Sequence, residues 1–519
     1  MSQQYSRPQS GRGAVGILCS AFDPYSVPII NGAAEKLQSE GFHTICFGGG
    51  FPTAPLYSMP GGQPVVPSIL EALILLSATM RGFSRELEAM AALSAQVVIS
   101  IGAPIPNLFT VAANDEPGVF QAVAHLVKHH NRKRIAFIAG PVESVDGARR
   151  LAAYRLALQS FKLDCDPALL VRGDYEARSG HEAVLQLCRF GAGAFDAIVA
   201  ANDLMAIGAI EGLRAAQIRV PEDVAVIGFD DMEEASFISP ALTTVRQPMY
   251  EQGLSAGGVV TRCLRGDGLH AQPELIPAPL VVRRSCGCGP ANLAHRTGAE
   301  ANQDHELLDD ALRTLLRRQL SVARVHRELS SLAEEIISAA DFPELATVMT
   351  QAVRLLNFQR FLLCLYTANQ RSAQVVLESS GRDVLFRNRS EPFPVGQLLP
   401  TGFLGRGRPA LVTVEPLSLA GEHFGYMVIE ADIGAFPAHQ ELRHFLGSAL
   451  SRIARAKELR RRYAEERKDA YQRRNALREE TSQAGARPTR DEPADRPPAL
   501  STLPPPSDPG GNRTPPSQS

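Results

Sequence analysis

Residues 197–231, AIVAANDLMAIGAIEGLRAAQIRVPEDVAVIGFDD, decide the fold class because they read as a strand, a helix and a second strand in close succession. AIVAAN and VAVIGF are short apolar runs, and the segment between them carries apolar residues at helical spacing. This pattern is typical of parallel strands joined by a crossover helix. Asn202 ends the first strand, and Asp230 and Asp231 end the second, at the carboxyl ends where such sheets bind ligands.

The same alternation of strands and helices extends outward over residues 14–285. Further strands are predicted at AVGILCS, HTICFGG, ALILLSA, QVVISIG and RIAFIAG, and helices at 27–40, 118–130, 148–160 and 204–216. We therefore predict an α/β domain built on parallel sheets. The segment 50–68 is rich in Pro and Gly and reads as a loop.

Length, charge and cysteine usage narrow the class of protein. A chain of 519 residues suggests two or three domains, and a net charge of -2 gives no bulk reason to expect nucleic acid or a membrane surface as partner. The eight cysteines form no C-x-x-C pair, which fits a reducing compartment. The polar N-terminus lacks the apolar core of a signal peptide, and the apolar stretches are too short for a membrane span. These features predict a cytoplasmic protein.

The adjacent carboxylates Asp230 and Asp231 fit three chemistries: an acid/base pair, a metal site, or a clamp for a polar ligand. The region has no G-x-S-x-G, H-E-x-x-H or phosphate-loop motif, so we expect no catalytic residues and no enzyme. A carboxylate at a strand end can accept paired hydrogen bonds from hydroxyls, which favours ligand contact for Asp230. For Asp231, helix capping and ligand contact are equal alternatives, and for Asn202 an N-cap is the alternative to a ligand role.

Several stretches, in this order, resemble the effector-binding region of the LacI/GalR family of bacterial repressors. They are HLVKHHNRKRIAFIAGP, RGDYEARSG, the 197–231 stretch, SPALTTVRQP and LVVRRSC. The resemblance covers residues 14–285 and implies a periplasmic-binding-protein-like fold, in which two α/β subdomains hold a small molecule, commonly a sugar or nucleobase, in a cleft. It also implies that Asn202 and Asp230 reach that ligand.

The resemblance implies four further pocket positions. The loop AFDPYS after the first strand offers Asp23 and Tyr25, and the RGDY segment offers Arg172 as a polar contact and Tyr175 as a stacking surface. A tyrosine ring suits the stacking of a sugar or base because it has a flat apolar face and a polar tip. Core packing is the alternative for either tyrosine.

The sequence departs from the family in two places. A repressor of this family begins with a helix-turn-helix head, whereas here the first strand is predicted near residue 14, so we expect no direct sequence-specific binding to DNA. Residues 50–68 read as a loop where the family has a helix, which affects one wall of the cleft.

The sequence pattern of the chain changes after residue 289. Cys286 and Cys288 form a C-x-C pair without a neighbouring His or Cys, so we expect no metal site and no cofactor. Residues 304–340 show helical periodicity and are predicted to pair with their copy in a homodimer. Residues 342–460 read as an antiparallel sheet flanked by helices, which looks like a GAF-type module.

The predicted organisation is a LacI-type ligand-binding domain that folds on its own core, followed by a connecting helix and a GAF-like domain. The boundaries are 1–13 (disordered), 14–289 (ligand-binding), 290–341 (linker and connecting helix), 342–460 (GAF-like), 461–484 (charged helix) and 485–519 (disordered, Pro-rich). We expect a sensor that binds a small polar ligand and relays the change to a downstream partner. The alternatives are a transcription regulator that acts on DNA through its basic helix or a partner, and a plain carbohydrate-binding protein.

Overall fold

The computed structural model describes most of the chain between residues 13 and 484. The described residues are 13–49, 54, 57, 66–80, 82–93, 97–191, 193–267, 272–289, 323–380, 383–387, 390–405, 408–430 and 436–484. The predicted disordered segments, up to residue 12 and at 485–519, lie outside this set, as does the linker at 290–322.

The secondary structure follows the predicted alternation of strands and helices. The strands are β1 (Ala14–Cys19), β2 (His43–Gly48), β3 (Leu70–Leu75), β4 (Val97–Ile101), β5 (Phe109–Asn114), β6 (Ile135–Ala139), β7 (Leu170–Arg172), β8 (Ala197–Ala200), β9 (Ala225–Asp230), β10 (Thr243–Arg246), β11 (Glu274–Pro277), β12 (Leu280–Val281), β13 (Arg360–Tyr366), β14 (Ser372–Ser380), β15 (Asp383–Phe386), β16 (Phe393–Pro394), β17 (Leu411–Leu419) and β18 (Glu422–Glu430). The helices are α1 (Ser26–Ser39), α2 (Ser84–Leu93), α3 (Asp115–His130), α4 (Val145–Ser160), α5 (Ala177–Leu187), α6 (Asp203–Ala215), α7 (Met249–Arg265), α8 (323–338), α9 (Phe342–Leu355) and α10 (Phe436–Ala484).

Strands β1 to β12 and the helices between them form two lobes, each built on its own sheet. The first lobe has the strand order β2-β1-β3-β4-β5-β11, with all neighbouring strands parallel. The second lobe has the order β7-β6-β8-β9-β10-β12, parallel except for the last pair. The chain crosses between the lobes after Asn114, Arg246 and Pro277. The predicted mixed α/β fold of the periplasmic-binding-protein type is confirmed for this part of the chain.

Each lobe buries apolar strand residues under its helices. In the second lobe, the Phe137 ring stacks on Tyr154, whose hydroxyl donates to the Ile135 carbonyl at 2.7 Å. In the first lobe, α1 and α7 cover one face of the sheet and approach so closely that a Cβ at Gly253 would lie 2.0 Å from the Ile29 carbonyl oxygen. Helices can come this close only where a side chain is absent.

The C-terminal part of the chain contributes a second, antiparallel sheet of order β17-β18-β13-β14-β15, which we call the distal sheet. It is flanked by α8, α9 and the first part of α10, and one of its faces is buried with them. The order of helix and strands agrees with the prediction, although β15 and β16 had no recognisable pattern. The GAF-like identity of this sheet stays a prediction, as does the part of the connecting helix at 304–322, which lies outside the described residues.

The distal sheet is continuous with the sheet of the first lobe, which the sequence analysis did not predict. Strand β17 pairs in parallel with β2, with Val412 opposite Ile45 and Val414 opposite Phe47. The two sheets also share one buried apolar cluster. Residues 14–289 and 342–460 were expected to be separate domains, but residues 1–456 form one compact unit. The reason is that the lobe face carrying Ile45 and Phe47 is buried together with residues of the distal sheet.

The second compact unit begins at residue 457 and contains the charged part of α10. Its arginines pair along the helix with interleaved acids, as in the contacts of Arg461 with Glu465 at 3.3 Å and of Arg462 with Glu458 at 3.0 Å. This agrees with the predicted charged helix at 461–484. None of the helices in the described part of the chain combines the length and apolar character that a bilayer span requires.

Candidate ligand-binding cleft

A cavity of about 460 Å³ lies at the carboxyl ends of strands from both lobes. Its volume falls in the range of roughly 300 to 1,000 Å³ that small-molecule sites occupy. Its lining residues are Ser20, Asp23, Pro24, Tyr25, Ala78, Thr79, Asp146, Arg150, Tyr175, Glu176, Asn202, Leu204, Asp230, Met232, Gln247 and Met249. Of the six residues predicted for the site, five line this cavity.

Asp230 and Arg150 form the charged centre of the cavity. Asp230 is the last residue of β9, and its Oδ1 lies 3.7 Å from Nη1 of Arg150. Arg150 projects from α4 and is almost completely buried, with its guanidinium 3.5 Å above the ring centroid of Phe229. A buried guanidinium next to a carboxylate can bind hydroxyls in paired fashion, since it donates while the carboxylate accepts.

A hydrogen-bond network centred on Arg150 joins the two lobes. The guanidinium donates to the carbonyl of Ala201 at 2.6 Å, to Gln247 Oε1 at 2.9 Å and to Asp115 Oδ2 at 3.4 Å. Gln247 in turn donates to the hydroxyl of Tyr25 in the first lobe at 3.2 Å. Gln247 lies where the chain crosses between the lobes, so it links Arg150 to the first lobe.

Burial raises the pKa of Asp230 to about 7. Arg150 opposes this rise, while the nearby carboxylates of Asp115 and Asp146 add to it. Burial also raises the pKa of Asp115. The lining of the cavity contains more acidic than basic side chains, since Asp23, Asp146, Glu176 and Asp230 line it together with Arg150.

Asp231 points away from the cavity and is held by two arginines. Its Oδ2 lies 2.7 Å from Arg246 Nε and its Oδ1 2.6 Å from Arg283 Nη2. Asp231 therefore has neither of the roles considered for it, ligand contact and helix capping. It does not line the cavity, and the short 3-10 helix that follows has no side-chain cap. Asp230 and Asp231 both have positive φ, at 119° and 60°, which is uncommon for residues other than glycine.

Asp203 stabilises the backbone turn at Asp230 and Asp231. Its fully buried carboxylate accepts hydrogen bonds from the Thr244 hydroxyl at 2.6 Å and from the backbone N–H of Met232 at 2.8 Å. The bond to Met232 holds the backbone directly after the strained Asp230 and Asp231. Such strain is often found at ligand sites, where the surrounding structure holds it in place.

Asn202 has the capping role that was its alternative in the sequence analysis, and it also borders the cavity. Its Oδ1 accepts a hydrogen bond from the N–H of Met205 at 3.0 Å at the start of α6. Its Nδ2 donates to the carbonyl of Tyr175 at 2.9 Å. The amide therefore positions Tyr175, and a direct ligand contact for Asn202 stays a prediction.

The two tyrosines lie on the cavity wall in different surroundings. Tyr175 has a positive φ of 73°, and its hydroxyl is 2.7 Å from Ser144 Oγ, so the ring is fixed at the cavity edge. Tyr25 is the N-cap residue directly before α1, and the carboxylate of Asp23 accepts from the N–H groups of Tyr25 and Ser26 at 3.1 and 2.7 Å. Each ring can offer a face to a ligand.

Arg172 is the one predicted site residue that does not line the cavity. Its side chain is exposed, and it donates to the Gly140 carbonyl at 3.3 Å. It is the last residue of β7, the edge strand of the second lobe, which explains its distance from the cleft between the lobes. Arg172 is therefore a useful reference position for tests of the site.

Sequence reasoning missed Arg150, Asp146 and Gln247. Arg150 lies in the predicted amphipathic helix at 148–160, where charged residues normally face solvent. Asp146 lies just before this predicted helix, in the first turn of α4. The signal available was weak: Arg150 occupies the same face of α4 as the buried residues Ala153, Tyr154 and Ala157. Gln247 lies in the quoted motif SPALTTVRQP but was not assigned a role.

The structure also brings together four side chains from two stretches that lie far apart in the sequence. Cys286 and Cys288 lie beside His125 and His130 of α3. The expectation that this C-x-C pair lacks partners considered only its sequence neighbours, and the histidines are more than 150 residues away along the chain. Burial, together with the neighbouring His130 and His129, lowers the pKa of His125 to about 4.

Comparison with known proteins agrees with this architecture. Residues 123–286 match the family model described as a periplasmic binding protein-like domain. The HTH-type transcriptional repressor CytR of Escherichia coli (strain K12) is 30% identical over 221 residues, which cover 43% of this chain and 64% of CytR. The HTH-type transcriptional regulator CelR of Thermobifida fusca is 36% identical over 185 residues, which cover 36% of this chain and 54% of CelR.

Among solved structures, a transcriptional regulator CelR-cellobiose complex is 29% identical, with a TM-score of 0.46, and the match covers 53% of this chain and 85% of that chain. The family model and the sequence relatives support a LacI-type sensor domain, and the family model matches residues 123–286 of it. The chain spans less than two thirds of the length of the curated relatives it matches. Because these relatives are named as HTH-type regulators, they do not support the expectation that direct sequence-specific binding to DNA is absent.

Proposed function

We propose that this protein is a small-molecule sensor with a regulatory role, whose cleft binds a neutral, hydroxyl-rich ligand such as a sugar or a nucleoside. The observation that carries the proposal is the pairing of Asp230 with the buried Arg150 in a cavity bordered by Tyr25 and Tyr175. Hydroxyl groups both donate and accept, so they satisfy this carboxylate and this guanidinium together.

The charges of the cavity argue for a neutral ligand. Arg150 is already partnered by Asp115 and Asp230, and Asp23 and Asp146 add further acidic groups to the lining. An anionic ligand would face net repulsion there. Apolar walls at Leu204, Met232 and Met249, with the two tyrosines, suit the less polar faces of a sugar or base.

A route for the signal runs from the cleft to the distal sheet. The loop with Asp23 and Tyr25 follows β1, β1 pairs with β2, and β2 pairs with β17. Ligand binding would favour a closed arrangement of the lobes, provided that the ligand binds this arrangement more tightly than the open one. We propose that this shift reaches the distal sheet, which we take to be a GAF-like module that dimerises or binds a partner.

The test is a thermal-shift screen of the full chain against monosaccharides, disaccharides and nucleosides. A ligand of this class should raise the unfolding temperature in a concentration-dependent way, because it binds only the folded state. Hydrogen exchange with the ligand found should then show increased protection in β1 and β17. Binding without any change in β17 would favour the plain carbohydrate-binding protein.

A second candidate function is transcription regulation by direct contact with DNA, and the names of the relatives favour it. The basic residues of α10 are partly neutralised by its acids, so they alone offer few free charges for phosphates. Selection of bound sequences from a random duplex library by the full chain, with and without ligand, distinguishes the two functions. Enrichment of one sequence would establish DNA recognition.

A further inference from the structure

Four potential metal ligands converge where the chain leaves the second lobe. His125 and His130 lie in the last turns of α3, and Cys286 and Cys288 lie in the segment that follows β12. The His125 and His130 Nε2 atoms are 3.2 Å apart, and His125 Nε2 is 3.4 Å from Cys286 Sγ. Cys288 Sγ is 3.5 Å from His125 Nε2 and 3.4 Å from His130 Nε2.

These distances are those of the edges of a tetrahedron around one ion. With Zn–S bonds of about 2.3 Å and Zn–N bonds of about 2.0 to 2.1 Å, ideal tetrahedral edges are about 3.3 Å for a nitrogen pair and about 3.6 Å for nitrogen and sulfur. All four ligand atoms lie within 4.8 Å of one another, so a single centre can reach each of them.

The local backbone and its hydrogen bonds favour this arrangement. Gly287, between the two cysteines, has a φ of 108°, which lets both sulfurs face the histidines. The Thr243 hydroxyl accepts the N–H of Arg283 at 2.8 Å, which leaves its own proton for Cys286 Sγ at 3.1 Å. A hydrogen bond donated to sulfur stabilises a thiolate, and such outer contacts orient metal ligands.

We propose that His125, His130, Cys286 and Cys288 bind a zinc ion in a closed structural site. Two thiolates and two neutral imidazoles offer the soft and intermediate donors that select Zn²⁺, and the two thiolates balance its charge. Binding releases the two thiol protons to solvent. The ion fastens the exit segment of the ligand-binding lobes to α3, whose first residue, Asp115, contacts Arg150 in the cleft.

The proposal is tested by measuring the metal content of the full chain with elemental mass spectrometry. The chain is purified under reducing conditions without chelator. We expect one zinc per chain. His130→Asn and Cys288→Ser should lose it, whereas the matched controls His129→Asn and Cys165→Ser should retain it. His129 is the chain neighbour of His130 and Cys165 is exposed, and neither belongs to the four-ligand set.

A second measurement does not depend on the folding of any variant. Replacement of the metal in the unmodified chain by Co²⁺ should produce the intense visible absorption of a tetrahedral site and a thiolate-to-cobalt charge-transfer band. The proposal is overturned if the metal-free, reduced chain takes up no stoichiometric zinc or cobalt, or if both ligand variants retain zinc at the unmodified level. These outcomes are independent of whether the cleft binds a sugar or a nucleoside.

Discussion

Backbone strain, charge and the cavity coincide at Asp230. Its carboxylate faces Arg150, its φ is positive, and burial raises its pKa to about 7. An ionised carboxylate accepts hydrogen bonds from ligand hydroxyls more strongly than a protonated carboxyl group does. We therefore expect the protonation of Asp230 to influence the affinity of the cleft near neutral pH.

This predicts that ligand affinity depends on pH. Because hydroxyl donors favour the ionised carboxylate, binding below the pKa of Asp230 must first expel a proton, and affinity should fall by up to about tenfold per pH unit on acidification. Calorimetric titrations between about pH 8 and about pH 5 measure this effect. The Asp230→Asn variant, which cannot ionise, should show a flat profile, and an equally steep profile in that variant would exclude Asp230 as the cause.

Arg150 should matter for stability as well as for binding. Arg150→Met keeps much of the apolar stem but leaves Asp115 buried without its closest cation. Removal of one partner of a buried ion pair costs about 3 to 5 kcal/mol of unfolding free energy. Chemical denaturation monitored by circular dichroism checks this, and Arg149→Met, which removes a more exposed arginine 3.8 Å from Asp115, is the control with a smaller expected loss.

At the scale of elements, local patterns were predictable and distant pairings were not. The strands and helices of the lobes could be predicted because hydrophobic periodicity is a property of neighbouring residues. Nothing local indicates that β17 pairs with β2, since the two strands are more than 350 residues apart and each reads as an ordinary buried strand. The burial of Arg150 in α4 was also not predictable, because its contacts lie far away along the chain. The approach of His125 to Cys286 was not predictable for the same reason.

The junction between β2 and β17 can be tested by Phe47→Ala. Phe47 is buried in the cluster shared by the first lobe and the distal sheet, and it lies opposite Val414. Truncation of a buried Phe costs about 3 to 5 kcal/mol. Hydrogen exchange should show lost protection in both β2 and β17, whereas Phe137→Ala, in the core of the second lobe, should leave β17 protected. Unchanged protection of β17 in Phe47→Ala would contradict a shared core.

At the scale of the whole molecule, the lobes and the distal sheet depend on each other. The face of the first lobe that carries Leu18, Ile45 and Phe47 is buried in the same cluster as Val412 and Val414 of the distal sheet. A chain that ends near residue 290 would expose this face and leave the edge of β2 without its partner strand. Large exposed apolar faces and unpaired edges promote association.

We therefore expect that deletion of residues 290–519 leaves an aggregating or unfolded product, contrary to the sequence-based expectation of an autonomous ligand-binding domain. Size-exclusion chromatography with light scattering and thermal unfolding measure this outcome. A monomeric product with a cooperative unfolding transition would show that the lobes bury a sufficient core without the distal sheet.

The central claim, that the cleft at Asp230 binds a hydroxyl-rich ligand, is tested most directly by calorimetry on three versions of the full chain. With a ligand from the thermal-shift screen, we expect one site per unmodified chain and affinity weakened about tenfold or more in Asp230→Ala, since a charge-assisted hydrogen bond is worth about 1.5 to 3 kcal/mol. Arg172→Ala, which alters an exposed residue outside the cavity, should bind like the unmodified chain. Equal affinity of Asp230→Ala and the unmodified chain, with circular dichroism showing both folded, would contradict the account.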